Sequence, residues 1–359
     1  QIMASTFGEP PVGSLAPVQD DIEHNIFFVD DSAVARKKIT EVLDQLGVRH
    51  KHALNGLEAW TRLSGGNALE TMAAIDQAGF EKSDTAIVAT EDSYYDALTA
   101  SALAGLSDAP ILMTPGAALS DTTRSELTRM GVKNVIVAGG EAAVSADVEQ
   151  AIKDMGITVA RVSGGNAVGT ANAMYEQGKG SWGDTCFVAT QASYQDALSA
   201  APYAYAKGAP IFLTDGSGEL DEATLAAIKD GGFTKVEIVG GTAAVSSDVE
   251  TALGSLFDKR LSGDNAYGTS IAIAGWELEH GMSADNMAVA TCDGYYDALC
   301  GAALCGKNGS ILVLADTGNT TAVDRIVVPN KASIATGYVF GGESAVSTDV
   351  FAALENATK

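Results

Sequence analysis

The chain repeats itself, and that repetition limits its fold more than any other feature. Three blocks of about one hundred residues follow one another. Each opens alike, with Arg62-Leu-Ser-Gly-Gly-Asn67, Arg161-Val-Ser-Gly-Gly-Asn166 and Arg260-Leu-Ser-Gly-Asp-Asn265, so the arginines recur every 99 residues. An apolar run ending in Ala-Thr follows, and then a tyrosine with Asp96-Ala97-Leu98, Asp196-Ala197-Leu198 or Asp297-Ala298-Leu299. Next comes an aliphatic triplet: Ile111-Leu112-Met113, Ile211-Phe212-Leu213 or Ile311-Leu312-Val313. Each block closes with a glycine pair and Ala-Val-Ser, at Gly139-Gly140, Gly240-Gly241 and Gly341-Gly342. Four landmarks in one order at one period specify one unit made three times, with boundaries at 62–160, 161–259 and 260–359.

Within a block the pattern is α/β. In the first, Asn67 to about Ala78 has a helical apolar face, and Thr85–Thr90 is a short apolar strand. Asp96–Leu106 reads as an Ala/Ser-rich helix, Ala109–Thr114 as a strand, Asp121–Met130 as a helix stopped by Gly131, and Asn134–Ala138 as a strand. Ser145 caps a helix to Met155, and Val159–Val162 leads into the next block. Short continuous apolar strands alternating with helices imply mainly parallel sheets covered on both faces. The small residues after each Asp-Ala-Leu allow close approach of another element. Packing as a pseudo-threefold trimer is therefore expected; beads on a string is the alternative, though no Pro/Ser/Gly linker supports it.

Composition narrows the function. Lys and Arg number 22 against 46 Asp and Glu, a net charge of −24, which repels phosphate backbones and anionic membranes. No nucleic acid partner and no membrane insertion are expected, since no apolar run approaches the ~20 residues that span a bilayer. Gln1–Pro17 lacks the basic start and apolar core of a signal peptide. The four cysteines, Cys186, Cys292, Cys300 and Cys305, form no CxxC pair, so they read as small core residues, with a disulfide as the alternative; no metal and no cofactor are expected. Three of the four histidines precede the blocks, and His280 beside Glu279 reads as a solvated helix end. That leaves almost no material for a nucleophile with its own base.

The landmarks together resemble the cell wall-binding repeat 2 (CWB2) family of Gram-positive surface proteins, over about 62–359 and in three copies. The resemblance implies three Toprim- or Rossmann-like domains in a compact trimer-like arrangement. It also implies a non-catalytic module that anchors an exported, extracellular protein non-covalently to an anionic wall polymer or secondary wall polysaccharide. The family's Ile-Leu-Leu triplet, associated with anchoring, maps to Ile111, Leu112, Met113, to Ile211, Phe212, Leu213 and to Ile311, Leu312, Val313; a core strand is the alternative reading. The opening Arg62, Arg161 and Arg260 are contact candidates because a guanidinium forks onto phosphate or carboxylate oxygens. Their alternative is a structural pair with Asp96, Asp196 or Asp297. The glycine pairs lack GxGxxG spacing and any Walker lysine, and so read as tight turns.

Residues 1–61 follow another pattern. Ile26–Val29, Asp30-Asp31 and the helix-like stretch to Leu46 resemble the start of a response-regulator receiver domain, which would make cytoplasmic phospho-signalling the alternative function. Asp76 is near the spacing of a phosphoacceptor, but no Met-Pro turn, switch threonine or lysine follows in register.

Overall fold

The computed structural model describes residues 26–29, 39, 42, 50–53 and 60–358. The chain divides into two compact units, Gln1–Asn55 and Gly56–Lys359. In the first, β1 (Ile26–Val29) pairs in parallel with β2 (His50–Ala53), Ile26 opposite His50. The rest of the receiver-like stretch, including Asp30-Asp31, lies outside the described residues.

The second unit opens with β3 (Trp60–Leu63). The first block then runs α1 (Ala68–Gly79), β4 (Thr85–Thr90), α2 (Tyr95–Thr99), α3 (Ser101–Leu106), β5 (Ile111–Thr114), α4 (Asp121–Met130), β6 (Asn134–Ala138), α5 (Ala146–Lys153) and β7 (Thr158–Val162). The second repeats it as α6 (Ala167–Gln177), β8 (Thr185–Thr190), α7 (Gln195–Lys207), β9 (Ile211–Thr214), α8 (Glu222–Asp230), β10 (Lys235–Val239), α9 (Ser247–Leu253) and β11 (Phe257–Leu261). The third has α10 (Ala266–Glu279), β12 (Ser283–Ala290), α11 (Tyr296–Lys307), β13 (Ser310–Leu314), a π-helix Val323–Val327, α12 (Val328–Asn330), β14 (Gly337–Phe340) and α13 (Thr348–Thr358). The single helix expected over Asp96–Leu106 is two, joined at Ala100; the Thr99 hydroxyl donates back to the Tyr95 carbonyl there.

Each block builds a four-stranded, all-parallel sheet, in the orders β5-β4-β6-β7, β9-β8-β10-β11 and β13-β12-β14-β3. The last strand of each sheet carries the arginine that opens the next block. Arg161 on β7 lies opposite Val137 of β6, and the limit between blocks at 160/161 therefore falls inside a strand. The third sheet has no following block. Its last place is taken by β3 from the beginning of the unit, with Gly337 opposite Trp60 and Phe340 opposite Leu63. The three sheets are thereby closed into a ring by the first strand of the unit.

Small side chains let the blocks meet at a pseudo-threefold axis lined by α3, α7 and α11. A Cβ on Gly105 would stand 1.9 Å from the Tyr205 carbonyl oxygen, and one on Gly306 would stand 2.8 Å from the Pro202 carbonyl oxygen. The outer strand of each sheet is covered by a helix from another block. β5 packs against α11, β13 against α7 and β9 against α2. This cyclic cover buries edges that would otherwise present unpaired backbone groups. Side chains complete it: the Met113 N–H donates to the Met72 sulfur at 3.0 Å, and the Leu314 N–H to the Ser270 hydroxyl at 3.0 Å.

Three carboxyl groups sit in this core without hydrogen-bond partners among the described residues: Asp76, Glu237 and Glu277, each 0% exposed. Burial drives the Asp76 and Glu277 acids well up and moves Glu237 to about 8. Asp76, the candidate phosphoacceptor, is thus an interior residue of helix α1, closed to a magnesium ion and a phosphodonor. The four cysteines are free and buried. His280 is not simply solvated: its Nδ1 lies 2.7 Å from the Trp276 carbonyl and its ring stacks on the Trp276 indole at 4.1 Å.

Candidate functional site

The recurring landmarks converge on the joints between blocks. Gly139, Gly240 and Gly341 have φ of +99°, +105° and +100°, the left-handed region open to glycine, and each begins the turn that ends its central strand. A Cβ there would stand 2.2 to 2.5 Å from a carboxylate oxygen of Asp96, Asp196 or Asp297. Each aspartate therefore rests on the turn of its own block. Burial raises the Asp96 and Asp196 acids, and the Thr170 and Thr269 hydroxyls of the following block partly offset this. Asp297 has no such hydroxyl offset, and burial lifts it to about 6.

The opening arginines are held at the same joints, with partners other than these aspartates. Arg161 donates to the Gly139 carbonyl at 2.8 Å and, through Nε, to Glu149 at 2.9 Å. Arg260 donates to the carbonyls of Gly240 and Val245 at 2.9 and 3.0 Å and pairs with Glu250 at 2.6 Å. Arg62 donates to the Gly341 carbonyl at 2.8 Å, but Phe351 stands where its equivalents meet a glutamate, and the guanidinium lies 5.1 Å over that ring. The Arg161 and Arg260 side chains are 16% and 12% exposed. Ile111, Leu112, Met113, Ile211, Phe212, Leu213, Ile311, Leu312 and Val313 are all 0–1% exposed, in strands enclosed on both faces. A polymer outside the fold meets none of these nine side chains.

Two features of the joints escape a reading by residue type. Tyr94, Tyr194 and Tyr295 meet around the axis with ring centroids 5.2–5.6 Å apart. Each hydroxyl donates to a carbonyl of another block: Gln191, Cys292 and Glu91. The recurring tyrosine before Asp-Ala-Leu was the signal. The second feature is the Ser-Gly-x-Asn loop, which is what the landmarks leave in solvent. Asn67, Asn166 and Asn265 cap α1, α6 and α10, accepting from the backbone N–H three residues on at 2.8 to 2.9 Å. Gly65 and Gly66, Gly164 and Gly165, and Gly263 and Asp264 are exposed beside them. In the third block this loop opens on a cavity of about 340 Å³. Among the described residues no group of three or more His, Cys, Asp or Glu side chains is placed to hold a metal ion, and no helix is long and apolar enough to cross a membrane.

Three parallel α/β units, closed on one axis and presenting one polar loop three times, define a tandem-repeat binding scaffold. Residues 62–149, 161–250 and 260–351 match the family Cell wall binding domain 2 (CWB2), and the chain belongs to that family. It is 32% identical over 295 residues to the N-acetylmuramoyl-L-alanine amidase LytC of Bacillus subtilis (strain 168), covering 82% of this chain and 58% of that protein. It is 29% identical over 333 residues to the amidase enhancer of the same organism, covering 91% and 45%. The chain thus spans about half the length of these curated relatives. Two solved structures share the fold: Cwp8 from Clostridium difficile, with TM-score 0.74, 23% identity and coverage of 90% and 55%, and Cwp6 from Clostridium difficile, with 0.72, 22%, 83% and 48%. They show that this ring of three is a recurring fold.

Proposed function

We propose that this chain is an anchoring module that holds a surface protein non-covalently to an anionic polymer or glycan of the cell wall, outside the cell, without transforming it. The observation that carries this reading is the threefold recurrence of the exposed Ser-Gly-x-Asn loop on a closed ring of sheets. A weak contact made at several linked points gives avidity that one contact lacks. The opening arginines and aliphatic triplets serve the anchor from within, the first by tying the joints and the second by filling the sheets. An amidase or its enhancer among the relatives fits a chain in which such a module is joined to a partner activity.

Sedimentation with purified walls tests this. The full chain is expected to pellet with intact walls, to stay in solution beside walls stripped of their secondary polymers, and to release no soluble saccharide. A chain that stays in solution beside both preparations refutes the anchor, and saccharide release refutes its lack of catalysis.

A further inference from the structure

The first cap differs from the other two in the residue three places after its asparagine, and the difference leaves loop donors free in the later blocks. In the first block Glu70 completes a variant of the capping box that reaches the residue before the cap: its carboxylate accepts from the Gly66 N–H at 2.7 Å and from the Asn67 Nδ2 at 3.1 Å. The loop of the first block thus holds a carboxylate, one supplied by the chain itself. The equivalent position is Gly169 in the second block and Gly268 in the third. In the third block the matching donors, the Asp264 N–H and the Asn265 Nδ2, have no partner among the described residues, and both residues line the 340 Å³ cavity.

The opposite wall of that cavity is particular to the third block. From the end of the aliphatic strand to the glycine turn the blocks take 25 residues (Thr114 to Gly139), 26 (Thr214 to Gly240) and 27 (Leu314 to Gly341). The third block has a π-helix, Val323–Val327, where the others have α4 and α8, and a π-turn accommodates extra length within a helix. It carries Arg325 to the cavity. Arg325 has no hydrogen-bond or ion-pair partner among the described residues. Tyr267 and Ile271 supply an apolar wall, with the Tyr267 hydroxyl turned away to Asp316 at 2.7 Å.

We propose that this cavity binds a saccharide unit bearing a carboxylate. The Asp264 N–H, the Asn265 amide and Arg325 take the carboxylate, the side-chain oxygens of Asp264 and Asn319 accept from sugar hydroxyls, and Tyr267 covers the C–H face of the ring. A positive group beside the loop donors gives an acidic chain a local site for an anion despite its net charge. The proposal rests on the wall-anchoring reading and gives it a substrate class.

Glucuronate, whose carboxylate is on the ring, N-acetylmuramate, whose carboxylate is on a lactyl ether, and neutral N-acetylglucosamine are titrated into the full chain by calorimetry or ligand-observed NMR. At least one acid is expected to bind at least tenfold more tightly than the neutral sugar. Gly268→Glu, which rebuilds the capping box of the first block, and Arg325→Ala are each expected to weaken that binding at least tenfold without lowering the melting temperature. Equal binding of acid and neutral sugars, no binding of either acid, or undiminished binding to folded Gly268→Glu overturns the site. Wall sedimentation is run in parallel. Retention on walls with no acid binding overturns the cavity and leaves the anchor standing, whereas acid binding without retention overturns the anchor alone.

Discussion

Replacing Trp60 with alanine tests whether the first strand closes the ring. Trp60 is 5% exposed on β3, and its indole lies flat on Gly337 of the partner strand, where a Cβ would come within 2.4 Å of the ring. Loss of a buried tryptophan costs about 3–5 kcal/mol through lost burial and the cavity left behind. The indole N–H has no hydrogen-bond partner among the described residues, so removing it recovers about 1 kcal/mol of desolvation penalty. The net cost is then about 3 kcal/mol. A cooperative unit of ~300 residues has an unfolding entropy of about 0.6 kcal/mol/K, so the melting temperature should fall by about 5 °C. Calorimetry measures the shift, and hydrogen exchange locates it. Amides of Gly337–Phe340 and of β3 should lose protection, while β4 and β8 keep theirs. A shift under 1 °C with unchanged exchange at Gly337–Phe340 would show that β3 is a dispensable edge and that the ring closes without it.

Further outcomes follow from the joints. Gly240→Ala places a Cβ 2.5 Å from Asp196 at a φ of +105°, and should cost about 1–3 kcal/mol in urea unfolding, whereas Gly241→Ala, with open space around it, should change stability by less than about 0.5 kcal/mol. Arg260→Met breaks a pair and three carbonyl contacts and should cost about 3 kcal/mol; wall retention should fall only where melting shows the fold is lost, and loss of retention by the folded variant would make Arg260 a polymer contact. Asp297 is lifted in the folded chain from its ordinary 3.8 to about 6, so the native state holds more protons between those values. Stability from this group is present below pH ~4 and lost as pH rises through ~6, by about 2–3 kcal/mol in all. Asp297→Asn should abolish that fall, leaving the variant more stable than the parent at pH 7.5 and equal to it at pH 3.5; parallel curves for the two proteins across this range would refute the assignment.

Much of the fold was legible because its landmarks recur. A parallel α/β unit made three times follows from periodic apolar strands, glycine stops and serine caps. What stayed hidden is what depends on contacts distant in sequence. β3 completes a sheet whose nearest strand begins at Gly337, and nothing local to Trp60–Leu63 states that pairing. The arginines' true partners, Glu149 and Glu250, recur four residues after their serine caps, but Phe351 breaks the series in the third block and masks it. The triplets are apolar because they are central to the core; residue type favours that burial, and only the resemblance brings in a binding role. In the sequence the exposed loop reads as an opening motif, and that its donors can hold a carboxylate shows only in the fold, where Glu70 turns back onto Gly66.

The account's central claim, one polar loop offered to the wall by all three blocks, is tested most directly by hydrogen exchange of the full chain with and without soluble fragments of purified wall polymer. The expected result is slowed exchange at residues 64–67, 163–166 and 262–265 together, with β5, β9 and β13 unchanged. Slowing at none of these loops while the chain remains bound would contradict it.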